Sequence, residues 1–171
     1  MTNSAKLWCV SVVSFSAVGF AVYSQQMWDM RPCPWCILQR MIFIAIFLTS
    51  ALGAMLAHTP RTRRTFNPSR PALWPWLSII LMAGLGAGCA IYQNLVAANQ
   101  ASCSVSHAQS FIMATGLDEL LPSLFMVTGT CADAATAKLL GLPYELISAA
   151  LFILIVCLCT LTARSIKKLS L

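Results

Sequence analysis

Eight cysteines lie in this 171-residue chain, and four of them, Cys33, Cys36, Cys103 and Cys131, fall between its long apolar runs. The other four, Cys9, Cys89, Cys157 and Cys159, fall inside those runs, where cysteine behaves as a small hydrophobe. Loop-closure entropy separates the two pairs of the first set. A bridge from Cys103 to Cys131 closes a loop of about 29 residues and is worth roughly 3.6 kcal/mol, enough for a purely structural staple. A bridge from Cys33 to Cys36 closes about four residues and is worth roughly 2 kcal/mol before strain is subtracted. The short spacing is therefore a poor staple and a good redox couple, because C-x-x-C holds two thiols ready for exchange.

Placement strengthens that reading. Cys36 stands immediately before the second apolar run, where a helix start offers unpaired N–H groups and a dipole that favour a thiolate. Arg40 follows four residues later, about one turn and ~6 Å deeper on the same helix face. An arginine in the hydrocarbon slab is unfavourable, by ~2.5–3.5 kcal/mol at mid-bilayer, so it marks a functional site unless it snorkels to the headgroups. A thiolate and a guanidinium at the mouth of a helix bundle suit a polar, electron-accepting head that enters from lipid. A quinone is such a molecule. No metal site is expected: structural zinc sites present paired short cysteine spacings, and here only Cys33 and Cys36 are so spaced.

The elements that must hold these groups are membrane helices. The chain is 58% apolar and 9% charged, whereas soluble domains carry about a quarter charged residues. The net charge of +6 does not indicate nucleic-acid binding, since the basic residues cluster beside apolar runs with no interleaved aromatics. No repeat or linker divides the chain, so one domain is expected over residues 1–171. A spanning helix needs roughly 20 apolar residues. Residues 7–24, 37–57, 73–97 and 144–163 qualify, giving an all-α, four-helix polytopic membrane bundle. Pro75 fits the first turn of the third helix, and Gly84, Gly86 and Gly88 allow close helix approach.

Eight of the eleven basic residues (Lys6, Arg61, Arg63, Arg64, Arg70, Arg164, Lys167 and Lys168) flank these spans on one side, which predicts cytoplasmic termini. Trp8, Trp74 and Trp76 fall at that boundary. Tyr23, Trp28, Trp35, Tyr92 and Tyr144 fall at the opposite one, as in an aromatic belt. The first run is longer than a signal-peptide core and lacks a small-residue cleavage site, so it is read as a span. Two outward loops result, residues 25–36 and 98–143, each with two cysteines on the oxidising side of a bacterial inner membrane. The second loop is apolar enough either to lie along the membrane as a short amphipathic helix, capped by Asp118, or to pack as irregular chain on the bundle. His58 and His107 are read as solvated loop residues.

The stretch Arg31-Pro32-Cys33-Pro34-Trp35-Cys36-Ile37-Leu38-Gln39-Arg40 resembles the C-x-x-C-x-x-x-R signature of the DsbB family of disulfide bond formation proteins. Gly129-Thr130-Cys131-Ala132 and Leu140-Gly141-Leu142-Pro143 are similar to that family's approach to its fourth helix. The resemblance covers nearly the whole chain, and it implies a relay. A reduced thioredoxin-like partner similar to DsbA would attack Cys103, Cys131 would then attack Cys33, and Cys36 would face ubiquinone or menaquinone beside Arg40. Some members carry a histidine near the outer end of the third helix that helps the quinone site. This sequence has Gln93 and Asn94 there, and Gln93 is taken as the counterpart. A monomer in contact with membrane lipid and the quinone pool is expected. The contrasting expectation is a four-helix structural membrane protein whose loops are only disulfide-stapled.

Overall fold

The computed structural model describes residues 3–28, 30–58, 73–96, 107–130, 138–139 and 142–169. Its elements in chain order are α1 (Asn3–Met27), α2 (Pro34–His58), α3 (Trp74–Leu95), α4 (His107–Thr115), α5 (Leu117–Leu120), α6 (Pro122–Phe125), β1 (Lys138–Leu139), β2 (Leu142–Pro143) and α7 (Tyr144–Leu169). Four of these helices, α1, α2, α3 and α7, are long and apolar enough to cross a membrane. The all-α bundle is interrupted only by β1 and β2, two residues each, paired antiparallel with Lys138 opposite Pro143.

Surface and interior are inverted relative to a water-soluble bundle. Phe15, Leu48, Leu81, Leu154 and Leu161 face outward, while Ser11, Ser14 and Ser50 are buried between helices. Lipid is as apolar as leucine, so helix association there relies on close packing and small or polar side chains rather than on hiding apolar surface. α1 packs on α2, α2 on α3, and α3 on α7. The Phe43 and Phe152 rings stack between α2 and α7, with centroids 4.0 Å apart and planes 9° from parallel. Gly86 admits the Phe152 ring, since a Cβ there would lie 2.5 Å from two ring carbons. Gly84 and Gly88 have open space beside them, so only one of the three glycines serves a close approach.

Several boundaries move. Polar residues flanking an apolar run do not end a helix whose backbone bonds remain satisfied, so α1 extends from Asn3 to Met27 and takes Gln25 out of the first loop. α2 opens at Pro34 rather than residue 37, because proline lacks the N–H that the first turn leaves unpaired anyway. Cys36 is thus inside the helix, not before it. Pro75 does sit in the first turn of α3. Trp76 is not part of an aromatic belt but a core residue with 1% of its surface exposed.

The second loop contains a real helix. α4 buries Ala108 and Ile112 and turns Phe111 and Met113 outward. Ile112 and Phe125 pack on Ile37 of α2, which fixes the loop over the cysteine-bearing end of the bundle. Asp118 caps nothing: it lies within α5, whose N-cap is Gly116 in the left-handed conformation at φ 64°. His107 opens α4 and His58 closes α2, so neither is a loop residue. Cys103 and Cys131 lie outside the described residues, as do the arginines at 61–70.

Candidate active site

The local backbone explains the cysteine pair. The carbonyl of Cys33 accepts the first helical hydrogen bond, from Ile37 N–H at 3.1 Å, so Cys33 occupies the N-cap of α2. Its Sγ also accepts from the Cys36 N–H at 3.4 Å, the bond that a serine or aspartate side chain makes at an ordinary N-cap. The C-x-x-C spacing is therefore the spacing from N-cap to third helical residue, and it brings the two sulfurs within 3.1 Å as free thiols. Cys33 has no exposed surface and Cys36 is half-buried. The hydrogen bond to Cys36, and then burial, push the Cys33 thiol above its ordinary 9.0. Cys33 is accordingly the proton-bearing member of the pair.

The Cys36 sulfur has a second partner. Gln93 of α3 donates from Nε2 to it at 3.3 Å, and Gln93 is held in turn by Gln39, whose Nε2 donates to Gln93 Oε1 at 2.8 Å. Both glutamines are buried. A carbonyl oxygen engaged by Gln39 leaves only the amide N–H groups of Gln93 to face sulfur, so the pair works as an oriented donor. The quinone-site role expected of Gln93 takes a different form here: the side chain touches Cys36.

Arg40 does not snorkel. It is 7% exposed, and its guanidinium reaches inward to Gln25 Oε1 at 2.9 Å, the Leu124 carbonyl at 3.2 Å and the Ala21 carbonyl at 3.2 Å. These acceptors come from α1 and α6, so the arginine ties the second loop to the bundle as well as holding a cation near Cys36. Three of its five N–H donors are thereby used. A cavity of about 370 Å³ opens laterally between α1, α2 and α7, lined by Cys36 and Arg40 with Tyr144, Phe20, Phe43 and Leu151 among its walls. Such a volume is at the small end of ligand sites, and its mix of apolar wall and a few convergent polar groups is what a bound ring requires.

The two outward loops meet at Pro32. Its carbonyl accepts from the N–H groups of Thr128 at 3.2 Å and Gly129 at 3.1 Å. Gly129 is required there, because a Cβ would stand 2.7 Å from the carbonyl oxygen of Arg31. Cys131 follows two residues later in the sequence. Trp35 packs against Tyr92 with ring centroids 4.9 Å apart, closing the α2–α3 side of the pair.

A helix-capping thiol pair of this kind, set into a membrane bundle beside a buried cation, defines a membrane-embedded thiol–disulfide oxidoreductase. Comparison with known sequences narrows the class. The family model described as disulfide bond formation protein DsbB matches residues 4–162, and the chain belongs to that family. Relatives named disulfide bond formation protein B include one from Cupriavidus metallidurans, 35% identical over 134 residues, covering 78% of this chain and 75% of the relative. Another, from Ralstonia nicotianae, is 28% identical over 161 residues and covers 93% and 91%.

Sequence reasoning brought out Cys33, Cys36, Arg40 and Gln93, and the structure gathers them at one end of the bundle. It missed Gln39, Gln25 and Tyr144. The signal for Gln39 was available in principle: an uncharged amide inside an apolar run needs a partner, as Arg40 does. It also missed Glu145, which is 2% exposed.

Proposed function

We propose that this chain reoxidises a periplasmic, thioredoxin-like oxidase of the DsbA type and passes the electrons to ubiquinone or menaquinone in a bacterial inner membrane. In this reading both termini are cytoplasmic, the loops bearing the four cysteines are periplasmic, and the protein works as a monomer. The observation that carries the quinone assignment is that Cys36 and Arg40 line one laterally opening cavity. The residues fit such a group. Among the described residues Arg40 retains two N–H donors and Tyr144 offers a hydroxyl for ring oxygens, while Phe20, Phe43 and Leu151 supply an apolar wall for ring and tail. When bound there, a quinone supplies the two-electron acceptor that thiol chemistry lacks.

The chain's own residues do the rest. The partner's thiolate opens the Cys103–Cys131 disulfide, and the freed Cys131 thiolate attacks Cys33. Cys36 leaves as the thiolate, next to the Gln93 Nε2–H donor and the Arg40 cation. The contact of Thr128 and Gly129 with Pro32 supports this order, since it seats the chain leading to Cys131 one residue from Cys33. The purely structural alternative is disfavoured by the surroundings of the C-x-x-C pair, an oriented amide donor on Cys36 and a buried arginine one turn away, which a staple does not need.

The test is quinone reduction by the purified, detergent-solubilised protein given a reduced thioredoxin-like oxidase, with Cys33→Ala alongside. Catalytic loss of quinone absorbance in the wild type alone is expected. Equal turnover in the variant would overturn the relay, and no turnover with either quinone type would return the stapled structural protein.

A further inference from the structure

Glu145 is the second residue of α7 and sits at the cysteine-bearing end of the bundle. It is 2% exposed, which is unusual for a carboxyl group with no cationic partner in contact among the described residues. Asn94 Nδ2 donates to its Oε1 at 3.3 Å, and its Oε2 is buried with no hydrogen-bond partner. Glu145 also lines a small cleft of about 30 Å³, with Ser24, Arg31, Cys36, Arg40 and Tyr144. A space above about 10–15 Å³ with several polar neighbours accommodates one water molecule. This cleft is distinct from the lateral cavity, whose walls do not include Glu145, but Cys36, Arg40 and Tyr144 belong to both.

We infer that Glu145 is the acid that holds the second proton of the reduced pair, the one that Cys36 lacks as a thiolate, and returns it during oxidation of the pair. The inference rests on the quinone reading above. Converting two thiols to a disulfide while a quinone becomes a quinol moves two electrons and two protons. With Cys36 as thiolate, the chain carries only one of those protons on sulfur, on Cys33. Glu145, whose buried Oε2 has no hydrogen-bond partner among the described residues, lines the same cleft as Cys36 and is placed to hold the missing proton. In the first step the partner's dithiol supplies two electrons and two protons, so that the Cys33–Cys36 disulfide plus Glu145 carboxylate gives Cys33 thiol, Cys36 thiolate and Glu145 carboxylic acid. In the second, the S–S bond forms, two electrons leave the sulfurs, and the protons of Cys33 and Glu145 go to the two quinone oxygens, restoring the carboxylate. Charge is −1 on both sides of each step. Among the described residues, the charged or titratable groups facing Glu145 are Arg31 of the first loop, Cys36 and Arg40 of α2, and Tyr144 beside it. Ser24 of α1 and Asn94 of α3 complete the surroundings and do not titrate.

The test is a reduced-minus-oxidised infrared difference spectrum of the full chain in detergent, depleted of quinone, in wild type, Glu145→Gln and Glu145→Asp. A protonated-carboxyl C=O band is expected to appear on reduction of the wild type. It should vanish in Glu145→Gln, which preserves the Asn94 hydrogen bond, and should shift in Glu145→Asp, which retains the acid. With quinone and partner supplied, Glu145→Gln should lower kcat by on the order of 10²-fold, with Glu145→Asp partly restoring it. No band in the wild type, or a band unchanged in both variants, would overturn the assignment. Absence of quinone turnover in the wild type would instead strike the quinone reading, while the band still decides whether Glu145 exchanges its proton with the dithiol.

Discussion

The two ends of α2 and its neighbours contain the same kind of residue in opposite surroundings. At one end, Cys33 and Cys36 share a hydrogen bond, with Gln93, Gln39, Arg40 and Glu145 all buried within the same few turns. At the other, Cys159 is equally buried, but among Leu7, Ile79 and Phe152, with no polar partner in its core cluster. Burial alone therefore does not make a cysteine reactive. A helix N-terminus, an oriented amide and a nearby cation do, and a cysteine lacking them is packing material.

That contrast can be broken most sharply at the sulfurs. Cys36→Ala should abolish quinone reduction while the protein stays folded, whereas Cys159→Ala should turn over like wild type; comparing the two in one purified assay checks it. Next in size is Arg40→Met. It leaves Gln25 and two backbone carbonyls without their donor, at about 1–3 kcal/mol for each group that stays dry, and removes the cation from the cavity. The apparent KM for quinone should rise at least tenfold with a lower melting temperature, and an unchanged KM would separate Arg40 from the quinone. Gln93→Leu keeps the volume but deletes the donor to Cys36, and a neutral hydrogen bond of about 1 kcal/mol corresponds to a several-fold drop in turnover. Gln93→Glu should be worse, since it sets a carboxylate against a thiolate.

Smaller effects follow from protonation. The fold holds Cys33 as a thiol above its ordinary 9.0, so on raising the pH the unfolded chain loses that proton first. The unfolded state then binds fewer protons than the folded one, and stability falls with pH above about 9, by at most about 1.4 kcal/mol per unit. Denaturant titration of the reduced protein should show that slope, and Cys33→Ser should make it shallower. Cys159→Ala closes the series: a fully buried sulfur lost from a packed core should cost about 1 kcal/mol and nothing in activity.

Much of this architecture was legible in the sequence because lipid imposes so few choices. Four apolar runs must be four helices, and an arginine among them must have a reason. The ends of the helices were less legible. Hydropathy registers where apolar residues stop, not where backbone bonding stops, so Cys36 was placed one turn too early relative to α2 and Gln25 in a loop. Gln93 was singled out by position, but its contact with Cys36 depends on the rotational phase between α2 and α3, which side-chain packing sets. Trp76 shows the same limit from the other side: a tryptophan near a span boundary suits an interface or a core, and only its neighbours decide. Glu145 carries a direct signal, an acid at the start of an apolar run, but hydropathy does not say whether such an edge residue faces water or the bundle.

The junction at Pro32 has a kinetic consequence. With Thr128 and Gly129 hydrogen-bonded to its carbonyl, the tether from that anchor to Cys131 is two residues, at most ~7 Å of chain. In the proposed relay, sulfurs so tethered would meet at a local concentration of millimolar or more, making the exchange between loops a first-order event indifferent to protein concentration. Glycines added between Gly129 and Cys131 would dilute one sulfur with respect to the other, so this short stretch would work as a fixed-length arm, while Ile112, Leu124 and Phe125 hold the preceding part of the loop on the bundle.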